Sequence, residues 1–228
     1  MKSFRQYLDS IASIAKGEPY VIDHNIPLRY FFGNAARRAI MLVWGLLATQ
    51  QRVFLSASAT VRCSKKITWG RWMTVSDDCF LDALSENGIH FGRSNSLGRG
   101  VSIECSGSLK SIGKGCSLGQ NVGIGSFSFF GAAGGIVVGD DTIFGNFVSI
   151  HSENHNFADP SIPIRSQGVT RIGVLIGSGC WIGAKVTILD GANIGNGTVV
   201  AAGAVVLAGT YPDHSVLAGV PARVIKQL

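Results

Sequence analysis

Residues 176–206 read IGSGCWIGAKVTILDGANIGNGTVVAAGAVV. Every sixth position is a β-branched aliphatic residue: Ile176, Ile182, Ile188, Ile194, Val200 and Val206. Two residues ahead of the later members stand Val186, Ala192, Thr198 and Ala204. Successive side chains of an extended strand point to opposite faces, so each large residue shares a face with the one two before it. One large and one smaller inward residue in every six describe a short strand plus one corner of a triangular prism, and three such units close a coil. The stretch therefore predicts a solenoid whose coils hydrogen-bond to one another and expose strand edges only at the two ends.

Upstream, the same step recurs as Ile112, Leu118, Ile124 and Phe130, and after a two-residue slip through AAGG as Val138, Phe144 and Ile150. A looser series runs through Leu55, Val61, Ile67, Met73, Cys79, Ser85, Phe91, Leu97 and Ile103, with Cys79 and Ser85 as weak members. Glycine often follows the large residue, at Gly113, Gly119, Gly125, Gly131, Gly139 and Gly145. There it is expected to relieve the steric limit at the corners. The expected fold is all-β: a parallel β-helix of hexapeptide repeats over residues 55–208, a basic helical extension over 1–54 and a short C-terminal tail over 209–228. A β-sandwich would need turn signals about every 8 to 12 residues and no fixed register, which the constant step of six argues against.

Composition agrees. The 228 residues are 46% apolar and 15% charged, enough to bury a core of one large or two small domains. Thirty glycines without a Gly-X-Y period, together with 12 Phe, favour a chain of strands that turns often. The five cysteines, at 63, 79, 105, 116 and 180, follow no CxxC spacing, which argues against a disulfide framework or a zinc knuckle and fits a reducing cytoplasm. Asp9 interrupts what would be the apolar core of a signal peptide, so none is expected.

The net charge of +6 is unevenly distributed: residues 1–72 carry 11 Lys and Arg against 3 Asp and Glu, and residues 73–228 carry 9 against 11. Arg37 and Arg38 precede an apolar run over residues 40–48, far shorter than the roughly 20 residues that span a bilayer. Two roles stay open for it: packing on the domain or a neighbouring subunit, or resting peripherally on an anionic membrane surface. Nucleic acid is not an expected partner, because no stacking aromatics interleave with the basic residues in a recognisable module.

The repeat breaks once at length, in HSENHNFADPSIPIRSQG, residues 151–168. From Ile150 to Ile176 is 26 residues, one repeat and an excursion of 20, so a loop over about 151–171 leaves the prism. Long loops in compact repeats usually carry function.

The segments NHNFADPSIPI, WIGAKVTILDGANIGNGTVVAAGAVV and AGVPARVIKQL resemble the hexapeptide-repeat acyltransferases, in particular the galactoside, maltose and capsule-polysaccharide O-acetyltransferases. The resemblance implies a left-handed β-helix, acetyl-CoA as co-substrate, no required metal and a homotrimer in which the loop of one subunit reaches its neighbour. It assigns the catalytic base to His155, in line with an imidazole that titrates near neutral pH and can take a proton from a sugar hydroxyl. Glu153 and Asp159 are the local candidates to hold the second ring nitrogen, with a backbone carbonyl as the alternative. His151, Asn154, Trp181 and Ser128 are expected on the acceptor side. Small residues Gly183, Ala184, Ala201, Ala202 and Gly203 would admit the pantetheine arm, and Arg223 and Lys226 the phosphates of coenzyme A.

The expected reaction is O-acetylation of a surface-polysaccharide sugar, from capsule, O-antigen or exopolysaccharide, or of its lipid-linked precursor. N-acetylation of a nucleotide amino sugar is the nearest alternative. Zinc chemistry like that of gamma-class carbonic anhydrases is disfavoured by the spacing of His90, His151 and His155, and a scaffold without activity stands furthest off.

Overall fold

The computed structural model describes Leu8, Pro19 and residues 21–23, 25–108 and 110–228. Two compact units divide at Ile40 and Met41. In the first, Asp23 accepts a hydrogen bond from the Asn25 amide at 2.8 Å, just ahead of helix α1, Leu28–Thr49. Asp9 and most of residues 1–24 lie outside the described residues.

The second unit is a three-sided prism of short parallel strands. The first sheet stacks Phe54–Leu55, Thr74–Val75, Ser96–Leu97, Gly123–Ile124, Ile143–Phe144, Trp181–Ile182 and Val199–Val200, and ends in the antiparallel pair Ser215–Gly219 and Ala222–Gln227. The second sheet runs from Thr60–Arg62 to Val205–Val206, and the third from Ile67–Thr68 to Gly209–Tyr211. Residues 209–228 thus complete the last coil instead of forming a separate tail. At the opposite end Met41 and Gly45 of α1 are buried, and a Cβ at Gly45 would collide with the carbonyl oxygen of Val53.

The core is a stack of apolar side chains, with Leu81, Ile103, Phe130, Ile150, Ile188 and Val206 all fully buried in register on the second sheet. Burying one such side chain contributes about 1.5–3 kcal/mol. From first to second sheet the inward residues are always six apart, as in Leu55 to Val61 and Ile182 to Ile188, and the same holds from third to first, as in Trp69 to Val75 and Ile176 to Ile182. From second to third sheet the interval varies: 8 from Val61 to Trp69, 10 from Leu81 to Phe91, 15 from Ile103 to Leu118, 26 from Ile150 to Ile176, and 6 from Ile188 to Ile194.

This corrects the looser upstream series. The large inward positions of the second coil are Val75 and Leu81, and Met73 and Cys79 occupy the positions two before them. An insertion of two residues and then one of four add up to a whole repeat, which is why the series regains step at Phe91. Ile112 is 39% exposed and belongs to an inserted loop, not to the repeat.

The role expected for the repeated glycines also changes. Thirteen left-handed residues turn the two regular kinds of corner, and most are not glycine, among them Asp78, Phe127, Phe147 and Lys185, or Ser94, Asn121 and Asp141. Gly125, Gly139, Gly145 and Gly183 have no such backbone; instead a Cβ at Gly145 would stand 2.5 Å from the Ala184 nitrogen, and one at Gly183 2.6 Å from that of Ala202. These glycines let one coil lie directly on the next.

Candidate active site

The second-to-third corner supports the loop, and its base is pinned at both ends. Ser152 is buried; its hydroxyl donates to the Gly131 carbonyl at 2.8 Å and accepts from the Gly134 amide at 2.9 Å. At the exit, the buried Asp190 carboxylate accepts from the amides of Ile172 at 3.0 Å and Gly173 at 2.7 Å. Between these anchors Asn154–His155 pairs antiparallel with Val169–Thr170, so the histidine sits on a two-stranded ribbon.

Arg171 locks the ribbon to the other large insertion. Its Nε donates to Glu153 at 2.6 Å, and its Nη1 donates to the Ser111 hydroxyl at 2.9 Å and to the carbonyls of Ser111 and Ile112 at 3.2 and 3.3 Å. The loop tip is held by Gln167, which donates to the carbonyls of Asp159 and Ile162, both at 2.7 Å. Asp159 accepts from the Ser161 hydroxyl at 2.6 Å and amide at 2.9 Å, and these bonds hold its carboxyl below the ordinary carboxylate range.

His155 itself is exposed, beside Asn154, Asn156, Phe157, Ala158 and Thr170, and its ring makes no hydrogen bond to a described residue. Glu153 accepts from Arg171 and Asp159 from Ser161, and neither carboxylate is hydrogen-bonded to His155 within the protomer. His151 lies on the outer face of the second sheet, its Nε2 2.7 Å from the Ser149 hydroxyl and its ring 5.5 Å from that of Phe129. Asn154 is exposed beside His155.

Trp181 is 55% exposed on the outer face of the first sheet, in register between Ile143 and Val199. Ser128 does not reach an acceptor: it is an inward residue of the prism, 1% exposed, bonded to the Gly145 carbonyl and the Val148 amide. The position falls two before Phe130 and therefore points to the core.

Gly183, Ala184, Ala201, Ala202 and Gly203 do come together, stacked on the first-to-second corner in two adjacent coils. Gly183 donates to the Val200 carbonyl and Ala201 to that of Leu217, both at 2.8 Å. The next layer holds Ala218, whose antiparallel partner is the exposed Arg223, with Nη1 donating to the Ala222 carbonyl at 2.8 Å. Lys226 stands further along the same strand, over Val216.

Sequence reasoning missed Arg171, Ser111, Ser152 and Asp190. The available signal was Ile112, since treating it as a repeat member concealed the insertion that Arg171 grips. No group of three or more His, Cys, Asp or Glu gathers among the described residues in a metal-holding arrangement, and His90 sits on the third sheet, 2.7 Å from the Asn87 carbonyl.

A parallel β-prism of hexapeptide coils with a histidine-bearing loop defines a hexapeptide-repeat transferase. Residues 173–208 match the family described as bacterial transferase hexapeptide (six repeats). Over 151 residues the chain is 31% identical to WbbJ of Escherichia coli K12, named for O-acetyl transfer in lipopolysaccharide biosynthesis, covering 63% of this chain and 74% of that one. An acetyltransferase-named protein of Mycobacterium tuberculosis is 33% identical over 130 residues, 57% of this chain and 43% of its own length. Among solved structures, AntD, an N-acyltransferase from Bacillus cereus in complex with dTDP and coenzyme A, superposes with a TM-score of 0.53 at 20% identity over 78% of this chain and 81% of that one. The shared fold is the left-handed parallel β-helix. The chain belongs to the hexapeptide-repeat transferase family, whose matched relatives are named as acetyltransferases.

Proposed function

We propose that this protein is an acetyl-CoA-dependent O-acetyltransferase acting on a sugar hydroxyl of a surface polysaccharide or its lipid-linked precursor, with His155 as general base. The observation that carries the reading is the exposed His155 ring, held on a ribbon braced by Arg171, with no hydrogen bond to a described residue that would occupy it. An imidazole nitrogen accepts the hydroxyl proton as the oxygen attacks the thioester carbonyl. The tetrahedral intermediate then expels the coenzyme A thiolate, and the imidazolium returns the proton to sulfur, leaving an acetyl ester and a free thiol. Arg223, at the end of the small-residue ridge, is suited to the coenzyme phosphates.

Loop and ridge occupy different edges of one prism. We therefore infer a homotrimer, with the base of one subunit serving the coenzyme groove of the next. Trp181 and His151 would then line the acceptor side, and a lipid-linked acceptor would draw the enzyme to the cytoplasmic face of a membrane.

The test follows thiol release from acetyl-CoA against sugars, nucleotide amino sugars and polysaccharide fragments. His155→Ala should lower turnover about 10²- to 10⁴-fold with coenzyme A affinity nearly intact. Arg223→Glu should do the reverse, weakening coenzyme binding while saturated turnover changes little. Turnover with amines alone would reassign the enzyme to N-acetylation, and a fully active His155→Ala would remove the loop from the mechanism.

A further inference from the structure

We propose that the N-terminal end of the prism docks on an anionic lipid surface through an apolar patch of α1 together with the exposed cations of the first coil. The inference does not depend on the assignment of His155. Between Asp23 and Asp77 the sequence contains no carboxylate and eight Lys and Arg. Within the prism unit, Met41 and Gly45 bury one face of α1. On the side away from that contact, Val43, Trp44 and Leu47 are 58%, 47% and 74% exposed. Positions 43, 44 and 47 fall within about 100° of arc on the helix, so the three side chains form one patch.

Arg52, Arg62, Lys65, Lys66 and Arg71 follow in the first coil. All five are exposed, and none pairs with a carboxylate among the described residues. Charge decides the occupant. A second copy meeting this face by two-fold symmetry would set cation against cation, a costly juxtaposition. Anionic headgroups neutralise the same cations while the apolar patch enters the headgroup boundary, where an indole is well accommodated. No helix among the described residues is long and apolar enough to cross a membrane, so the contact is an in-plane one.

The experiment is co-sedimentation of the full chain with phosphatidylcholine vesicles, with and without phosphatidylglycerol, at low and near-physiological salt. Binding should rise at least about tenfold with phosphatidylglycerol and fall as salt increases. Val43→Glu with Leu47→Glu should reverse that gain while the circular-dichroism melt stays unchanged. Arg52→Glu with Lys65→Glu should weaken binding as well and keeps the test sound if the helix variant misfolds. Equal binding to neutral and anionic vesicles, or no binding to either, overturns the proposal. So does a fall in solution mass of the helix variant by light scattering, which would make the patch an interface between copies.

Discussion

Where the chain passes from the first sheet to the second, or from the third to the first, inward residues are six apart in every coil; from the second to the third the interval ranges from 5, between Val206 and Tyr211, to 26, between Ile150 and Ile176. At the regular corners one left-handed residue makes the turn and the backbone of the next coil lies against the preceding glycine, as at Gly145 and Ala184. No extra atom fits there. At the third corner the chain leaves the prism and returns, and the flanking strands still pair in register, as Ile150 does with Ile188 and Ile176 with Ile194. The comparison teaches that this fold can add a loop, and with it chemistry, along one edge at little cost to the stack.

The largest effect should come from breaking a regular corner. Gly145→Val drives side-chain atoms into the Ala184 backbone and can be accommodated only by parting two coils. It should cost about 4 kcal/mol or more, or prevent folding altogether. Ile164→Ser, at a 55% exposed loop position, should stay within about 0.5 kcal/mol of wild type. Urea unfolding of the two variants measures the contrast, and equal stability would undo it.

An intermediate effect is expected from Arg171→Ala, which unties the two insertions and leaves the Glu153 carboxylate without its partner. A loss of about 1–3 kcal/mol should be confined to the loop. Amide exchange should therefore quicken over residues 153–170 and remain slow in the stacked coils. Arg171→Lys should restore only part of the protection, since one ammonium cannot reproduce the fork that reaches both Glu153 and Ser111. Uniform acceleration across the prism would mean that the tie supports the whole fold rather than the loop.

The smallest effect concerns thiols inside the stack. Cys63 is exposed, whereas Cys79, Cys105, Cys116 and Cys180 are buried, so an aromatic disulfide reagent should titrate one thiol at once and the other four only on unfolding. Burial pushes Cys79 up to about 11 and Cys105 up to about 12. Their neutral forms thus favour the folded state. The associated stability is complete below the ordinary value of 9.0 and is lost as pH rises toward about 11. Cys79→Ala should lose less stability than wild type between pH 8 and pH 10.5, and an identical loss would remove this thiol from the alkaline response.

Much of the fold was legible because its signal is local. Ile176 to Val206 needs only strand alternation and a constant step to announce a coil, and the excursion after Ile150 stands out against that step. The loop that displays His155 was legible as the one long break in the repeat. Ile112 was misread because an aliphatic residue in an inserted loop can match the period by chance, and Ser128 because a serine two before a core phenylalanine looks no different in sequence from one on the surface.

By itself the sequence determined the prism, its inward apolar stack, the position of the loop and the histidine on it, since these depend on residues a few places apart. Only the tertiary structure decided that all insertions share one edge, that the glycines serve close stacking rather than turning, that Arg171 and Ser161 take the carboxylates expected beside His155, and that Arg223 pairs with Ala218 in the layer next to the small-residue ridge. Each of these depends on which backbone or side chain lies one coil away or across an inserted corner, and for Ser111 and Arg171 that neighbour is 60 residues distant along the chain.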